Sequence, residues 1–120
     1  MLYFYNMSTG KREQARQEAV FKALADYRRR EMLDLLRDKP YTTGDFCKHF
    51  KALDRCTVMQ HLGVLEKAQL IIVKREGRNR WNYINPLPIK EIYDRWISRY
   101  ATHAIDILAR MKHDLEQSKQ

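Results

Sequence analysis

The feature that most constrains this chain is a change of hydrophobic period between Asp54 and Ile84. After Asp54, Val58, Leu62 and Leu65 recur at spacings of four and three, the stripe of a helix. After Leu70 the pattern becomes that of strands. Ile71-Ile72-Val73-Lys74-Arg75 is β-branched at its start, Glu76-Gly77-Arg78-Asn79 is turn chemistry, and Arg80 to Ile84 alternates polar and apolar. A helix that feeds directly into a hairpin is therefore expected. Asp54 stands where a helix needs its N-cap, with a carboxylate to accept the free amide hydrogens of the first turn. Cys56, Thr57, Gln60 and His61 are expected on the surface of that helix, away from its apolar stripe.

Upstream, Lys11 to Ala25 reads as a helix with Ala15, Ala19, Phe21 and Leu24 near one face. Asp26-Tyr27 breaks it, and Arg28 to Arg37 resumes a helix with Met32, Leu33, Leu35 and Leu36 as its apolar positions. Asp38-Lys39-Pro40 ends that helix, because proline cannot continue the hydrogen-bond ladder. Thr42 or Thr43 caps a short third helix carrying Phe46, Cys47 and Phe50, and Lys51-Ala52-Leu53 joins it tightly to Asp54. A short helix, a few-residue turn and a capped second helix form a helix-turn-helix. The hairpin behind it makes the fold winged. The expected class is mainly α with a small β-hairpin wing.

Asn85-Pro86-Leu87-Pro88 breaks the chain again, and the last third reads as one long helix, roughly Ile89 to Glu116. Ile92, Trp96, Tyr100, Ala104, Leu108, Met111 and Leu115 recur every three or four residues along it. At the helical rise such an element is about 40 Å long. A stripe of that length needs another surface to cover it. A second copy of the chain is the expected cover, with Ile92, Trp96, Tyr100, Leu108 and Met111 at the interface and the first helix beside them. Packing on its own domain is the alternative. The expected organisation is a flexible N-terminus over residues 1–10 and a single domain over 11–120, in which 86–116 form the dimerisation helix.

The chain has 120 residues, one domain's worth, and carries 23 Lys and Arg against 15 Asp and Glu, a formal net charge of +8. That balance suits a polyanion, either nucleic acid or an anionic membrane surface. Cys47 and Cys56 are too few for a disulfide scaffold and lack metal-finger spacing, which points to a reducing cytoplasm. The first ten residues do not read as a signal peptide, Met7 offers a second start, and no run is long enough to span a membrane. No glycine-rich phosphate loop, nucleophile elbow or HExxH motif is present, so an enzyme is not expected.

Double-stranded DNA is the partner this order of elements suits. A helix fits the major groove and its polar side chains meet base edges, while Arg and Lys at a hairpin tip reach flanking phosphates or the minor groove. From Arg55 to Arg80 there are six basic residues (Arg55, Lys67, Lys74, Arg75, Arg78, Arg80) against two acids (Glu66, Glu76). Arg28-Arg29-Arg30 adds a phosphate-binding candidate at a helix start.

Three stretches resemble the ArsR/SmtB family of bacterial winged-helix repressors. Phe21-Lys22-Ala23-Leu24-Ala25-Asp26 followed by Arg28 to Leu36 is similar to the family's opening, with Tyr27 where a proline often stands. Thr57-Val58-Met59-Gln60-His61-Leu62-Gly63-Val64-Leu65 resembles its recognition helix, and Arg75 to Tyr83 its wing. Trp81 to Ile89 with Tyr93-Asp94-Arg95-Trp96 resembles a metal-independent branch often encoded beside a START-like ligand-binding protein. The resemblance implies a transcriptional regulator, by default a repressor, that binds a pseudo-palindromic operator as a homodimer. It implies base-reading roles for Arg55, Thr57, Gln60 and His61, with backbone or minor-groove contacts from Arg78, Arg80 and Arg28. Met59 stands where the family often has serine and offers an apolar contact. His61 has a second reading, as a partly buried histidine packing the helix onto its neighbour.

Neither metal site of the family is legible here, and no cofactor is expected. Where one site places paired cysteines ahead of an acid, this chain has Thr42 and Gly44 ahead of Asp45. At the other, His113 and Glu116 match the later half, but Tyr100 and Thr102 stand where the earlier ligands belong and His103 is one position out. The effector, if any, is not legible. Two alternatives stay open: a winged helix that binds another protein, and a thiol switch at Cys56 in the first turn of the recognition helix.

Overall fold

The computed structural model describes residues 8–119. Of the flexible terminus expected over residues 1–10, residues 1–7 lie outside that range, and residues 8–10 instead begin a helix. Ser8 is the N-cap of the first helix, α1 (Thr9–Leu24), its hydroxyl accepting the Lys11 amide at 3.3 Å. The helix thus begins two residues before Lys11. Its buried positions are Val20 and Ala23, and Phe21 is exposed. Asp26 caps α2 (Tyr27–Leu36), whose Met32, Leu33 and Leu36 are buried. Strand β1 (Tyr41–Thr42) leads into α3 (Thr43–His49), and Asp54 caps α4 (Arg55–Lys67). Thr42, rather than Thr43, caps α3, in a reciprocal box. Its hydroxyl takes the Asp45 amide at 3.0 Å, and the Asp45 carboxylate takes the Thr42 amide at 3.0 Å.

A Schellman arrangement ends α4. The Leu70 amide donates to the Leu65 carbonyl and the Gln69 amide to that of Glu66. Gln69 takes the left-handed conformation this requires, at φ 60°, without being glycine. The chain then enters β2 (Ile71–Glu76) and returns as β3 (Asn79–Ile84), antiparallel, with Val73 opposite Asn82 and Arg75 opposite Arg80. Gly77, at φ +61°, supplies the positive φ at the first position of this two-residue turn. Strand β1 pairs with the other edge of β3, Tyr41 opposite Asn82, giving a three-stranded sheet in the order β1-β3-β2. The expectation was a two-stranded hairpin, because two residues after a proline carry no visible period.

The alternation expected for β3 is present with its faces exchanged. Asn82 is fully buried, whereas Trp81 and Tyr83 are half-buried. Its Nδ2 donates to the Tyr41 carbonyl at 3.1 Å, so this interior amide helps hold β1 to the sheet. The core beneath comprises Met32, Leu36, Phe46, Val58, Leu62, Leu65 and Leu70, from α2, α3, α4 and the start of the wing. The helix-turn-helix is therefore fixed by its inner stripes, and the outer face of α4 is left free.

The chain falls into two compact units, one ending at Pro88 and one beginning at Ile89. The helix expected to run unbroken is three consecutive helical stretches: α5 (Leu87–Ile92), a π-helical turn (Tyr93–Ile97) and α6 (Ser98–Ser118). Hydroxyls of Ser98 and Thr102 donate to carbonyl oxygens four residues back, at 2.9 and 3.0 Å. No residue of α6 is buried.

Candidate nucleic-acid interface

The outward face of α4 follows from what its inward face buries. Val58, His61, Leu62 and Leu65 point into the core. Rotation by 100° per residue then places Arg55, Cys56, Met59, Gln60 and Gly63 off the buried stripe, with Arg55 at one edge, where Glu66 lies about 20° from it. The first four are exposed and Gly63 half-exposed, while Thr57 lies half-buried at the flank. The acids beside this face are both engaged within the chain. Asp54, at its start, accepts the Thr57 amide at 2.7 Å, and its bonds to Thr57 hold its carboxyl below the usual range. Glu66, near its end, is paired with Arg80. Cys56 is a free, exposed thiol on the same face, and Cys47 on α3 is free and half-buried.

His61 does not lie on that face. It is 9% exposed, and its Nδ1 lies 3.1 Å from Arg29 Nη1. Arginine only donates, so Nδ1 accepts and the ring proton sits on Nε2. Burial pushes the imidazole pKa down, the nearby Asp26 raises it, and Arg28 and Arg29 lower it further. The second reading of His61 is the one the geometry supports: a neutral, interior histidine that fastens α4 to α2. The +3 and +4 spacing from Val58 places it beside the buried stripe, which its polarity obscured.

The arginine run at the start of α2 is divided between roles. Arg29 donates through Nε to the Ala23 carbonyl and through Nη2 to that of Lys22, both at 2.8 Å, and Arg30 reaches the Leu24 carbonyl at 2.6 Å. These carbonyls lie in the last turn of α1, where a helix runs short of amide donors. Arg28 is the remaining member; its guanidinium lies 3.5 Å from the Asp26 carboxylate and 5.4 Å from the Tyr27 ring centre. Burial alone would raise the Asp26 pKa, but hydrogen bonds from the Arg28 amide and guanidinium bring it below the usual range.

The wing holds two kinds of arginine. Arg78 is exposed at the turn, with Lys74 and Arg75 exposed on β2 behind it. Arg80 instead turns back to Glu66, Nη2 to Oε2 at 2.6 Å, and ties the wing to the C-terminal end of α4. Of the two positions where the family's cysteines stand, Thr42 has a structural use, since it and Asp45 satisfy each other as the α3 cap. Those bonds keep the Asp45 carboxyl below its usual range. Among the described residues, no three His, Cys, Asp or Glu side chains gather into a group that could hold a metal ion.

A family model described as "Bacterial regulatory protein, arsR family" matches residues 26–73, from the α2 cap into the wing. The transcriptional repressor SdpR of Bacillus subtilis is 33% identical over 72 residues, covering 60% of this chain and 79% of that protein. The chain belongs to the ArsR family. The crystal structure of another ArsR family transcriptional regulator superposes with a TM-score of 0.67 at 27% identity, covering 74% of this chain and 90% of that one. The homodimeric winged helix-turn-helix DNA-binding domain of Mb0332 from Mycobacterium bovis, a possible ArsR-family regulator, shares the fold at a TM-score of 0.60 and 22% identity, covering 84% of this chain and 93% of that one. This ArsR-family chain is accordingly a DNA-binding transcriptional regulator, with α3 and α4 as its helix-turn-helix. Among its described residues no helix is long and apolar enough to cross a membrane.

The residues expected at a subunit interface divide as well. Trp96, Tyr100, Leu108 and Met111 are exposed, and so are Ile97, Ile105 and Leu115. Ile92 is 5% exposed.

Proposed function

We propose that this regulator is a cytoplasmic repressor, which binds a pseudo-palindromic operator as a homodimer and blocks the promoter there. The observation that carries the reading is the exposed outward face of α4, whose bordering acids Asp54 and Glu66 are engaged within the chain, fixed between the α3 turn and a basic wing. Arg55 and Gln60 supply base-edge contacts in the major groove, Arg to guanine and Gln to adenine. Thr57 lies at the flank of the same face, and Arg78 reaches the neighbouring backbone or minor groove. Arg28 is a phosphate contact at the α2 start. His61 and Arg80 position the recognition helix and the wing.

The homodimer rests on the apolar side chains left exposed along the last helix, which a second copy would cover, and on the homodimeric state of the Mycobacterium bovis domain. The last helices of two copies supply the interface through Trp96, Tyr100, Leu108 and Met111, with α1 contributing beside them. Two recognition helices then enter major grooves about one helical turn apart, or a multiple of it.

The test is fluorescence anisotropy on the intergenic DNA upstream of the protein's own gene, against a scrambled duplex, with salt raised from about 50 to 200 mM. Tight binding that prefers the native duplex and weakens steeply with salt is expected. Absence of binding to either duplex at low salt overturns the reading. Arg78→Ala lowers the slope of log affinity against log salt by about 1.8 if the Arg78 of each protomer neutralises one phosphate; an unchanged slope removes it from the interface.

A further inference from the structure

Two residues on the outward face of α4 serve no purpose visible within the chain. Met59 is 44% exposed, while Val58, Leu62 and Leu65 on the same helix are buried. Gly63 stands one turn further along the same face, and a Cβ placed there meets nothing within 4 Å. Its backbone is ordinary helix, since Gly77 is the glycine with positive φ among the described residues. Glycine inside a helix is unfavourable relative to alanine, and no neighbour in the fold demands it here. An exposed methionine and a bare stretch of backbone, side by side on the outward face, suit a surface that comes from outside.

The major groove presents one apolar group, the C5 methyl of thymine. We propose that Met59 reads a thymine methyl in the operator, and that the bare backbone at Gly63 lets α4 approach closely enough to seat it. The proposal rests on the reading of α4 as the recognition helix and adds its base preference. Gln60, next to Met59, has the bidentate amide that matches adenine, so each half-site carries neighbouring A·T pairs beneath the middle of α4. Arg55, at the helix start, meets guanine at one end of the half-site. Methionine suits the task because its unbranched thioether adapts to a methyl without a fixed rotamer.

The experiment uses the full chain and duplexes selected by it from a random pool, with affinities from anisotropy. Each thymine of the selected operator is replaced in turn by deoxyuridine, which removes the methyl and nothing else. Replacement of at least one thymine per half-site is expected to weaken binding about fourfold, the worth of one buried methyl. In Met59→Ala the penalty at that thymine disappears, while melting stays at the wild-type temperature. Gly63→Ala is expected to melt no lower than the wild type and to bind the operator more weakly. Selected operators that are preferred over scrambled DNA yet indifferent to every deoxyuridine overturn the inference and leave the regulator reading intact. A penalty that persists in Met59→Ala overturns Met59 as the reader, and wild-type affinity in Gly63→Ala overturns the clearance role. Failure to enrich any sequence overturns both readings.

Discussion

His61 shows how a single residue is misplaced by its chemistry and placed by its spacing. Its folded-state pKa is depressed, so between the ordinary value of 6.5 and the folded value the unfolded chain binds the proton more tightly. Stability present above pH 6.5 is therefore lost as pH falls through that window. Thermal melting between pH 7.5 and 5.5 is expected to show this loss. His61→Gln, which offers Arg29 an acceptor without a titrating ring, is expected to flatten it; an unchanged profile would mean that His61 is not the group responsible. Gln69 gives a second test at this scale. Its side chain occupies a left-handed position that glycine adopts without strain, so Gln69→Gly is expected to stabilise the fold by about 1 kcal/mol in chemical denaturation. Equal or lower stability would show that the Gln69 conformation is not strained.

At the scale of elements, the stripes of α2, α3 and α4 and the caps of α3 and α4 were legible because each is local, whereas Asp26 read as a break and not as the α2 cap. Asp26, Thr42 and Asp54 accept amides two or three residues ahead, and Val58, Leu62 and Leu65 need only helical geometry to share a face. Strand β1 was not legible, since its partner Asn82 lies 41 residues away and two residues carry no period. The same distance concealed the exchange of faces in β3. The Arg80–Glu66 pair likewise joins a wing strand to a helix end, and it separates Arg80 from the otherwise similar Arg78. Arg80→Ala and Glu66→Gln are each expected to lower the melting temperature slightly, as a part-exposed pair allows. The double variant should fall no further than the larger single effect, because both remove one interaction. Additive shifts would show that the two side chains act independently.

Over the whole molecule, the decisive feature is the apolar surface of the last helix, where α6 has no buried residue and Tyr100, Leu108, Met111 and Leu115 are all exposed. A stripe of this kind in water is expected to be covered by a second copy. Sedimentation of the wild type is therefore expected to give a dimer, and Leu108→Glu combined with Met111→Glu a monomer. That monomer should keep its helical circular dichroism, because neither side chain belongs to the core, and should lose affinity for a palindromic duplex. A wild-type monomer at micromolar concentration would overturn the dimer.

The sequence by itself determined the order of the first four helices and the hairpin, the Asp54 cap, the winged helix-turn-helix and the expected site at α4, because each rests on interactions a few residues long. Tertiary structure alone decided which polar residues near that site face inward. His61, Arg29 and Arg80 have partners 32, 32 and 14 residues away. Side chains that look like DNA ligands in the sequence are held by those partners, and the outward face narrows to Arg55, Cys56, Met59, Gln60 and Gly63. The physical reason is that a buried polar group must find a partner, and only the folded chain brings that partner within hydrogen-bond reach.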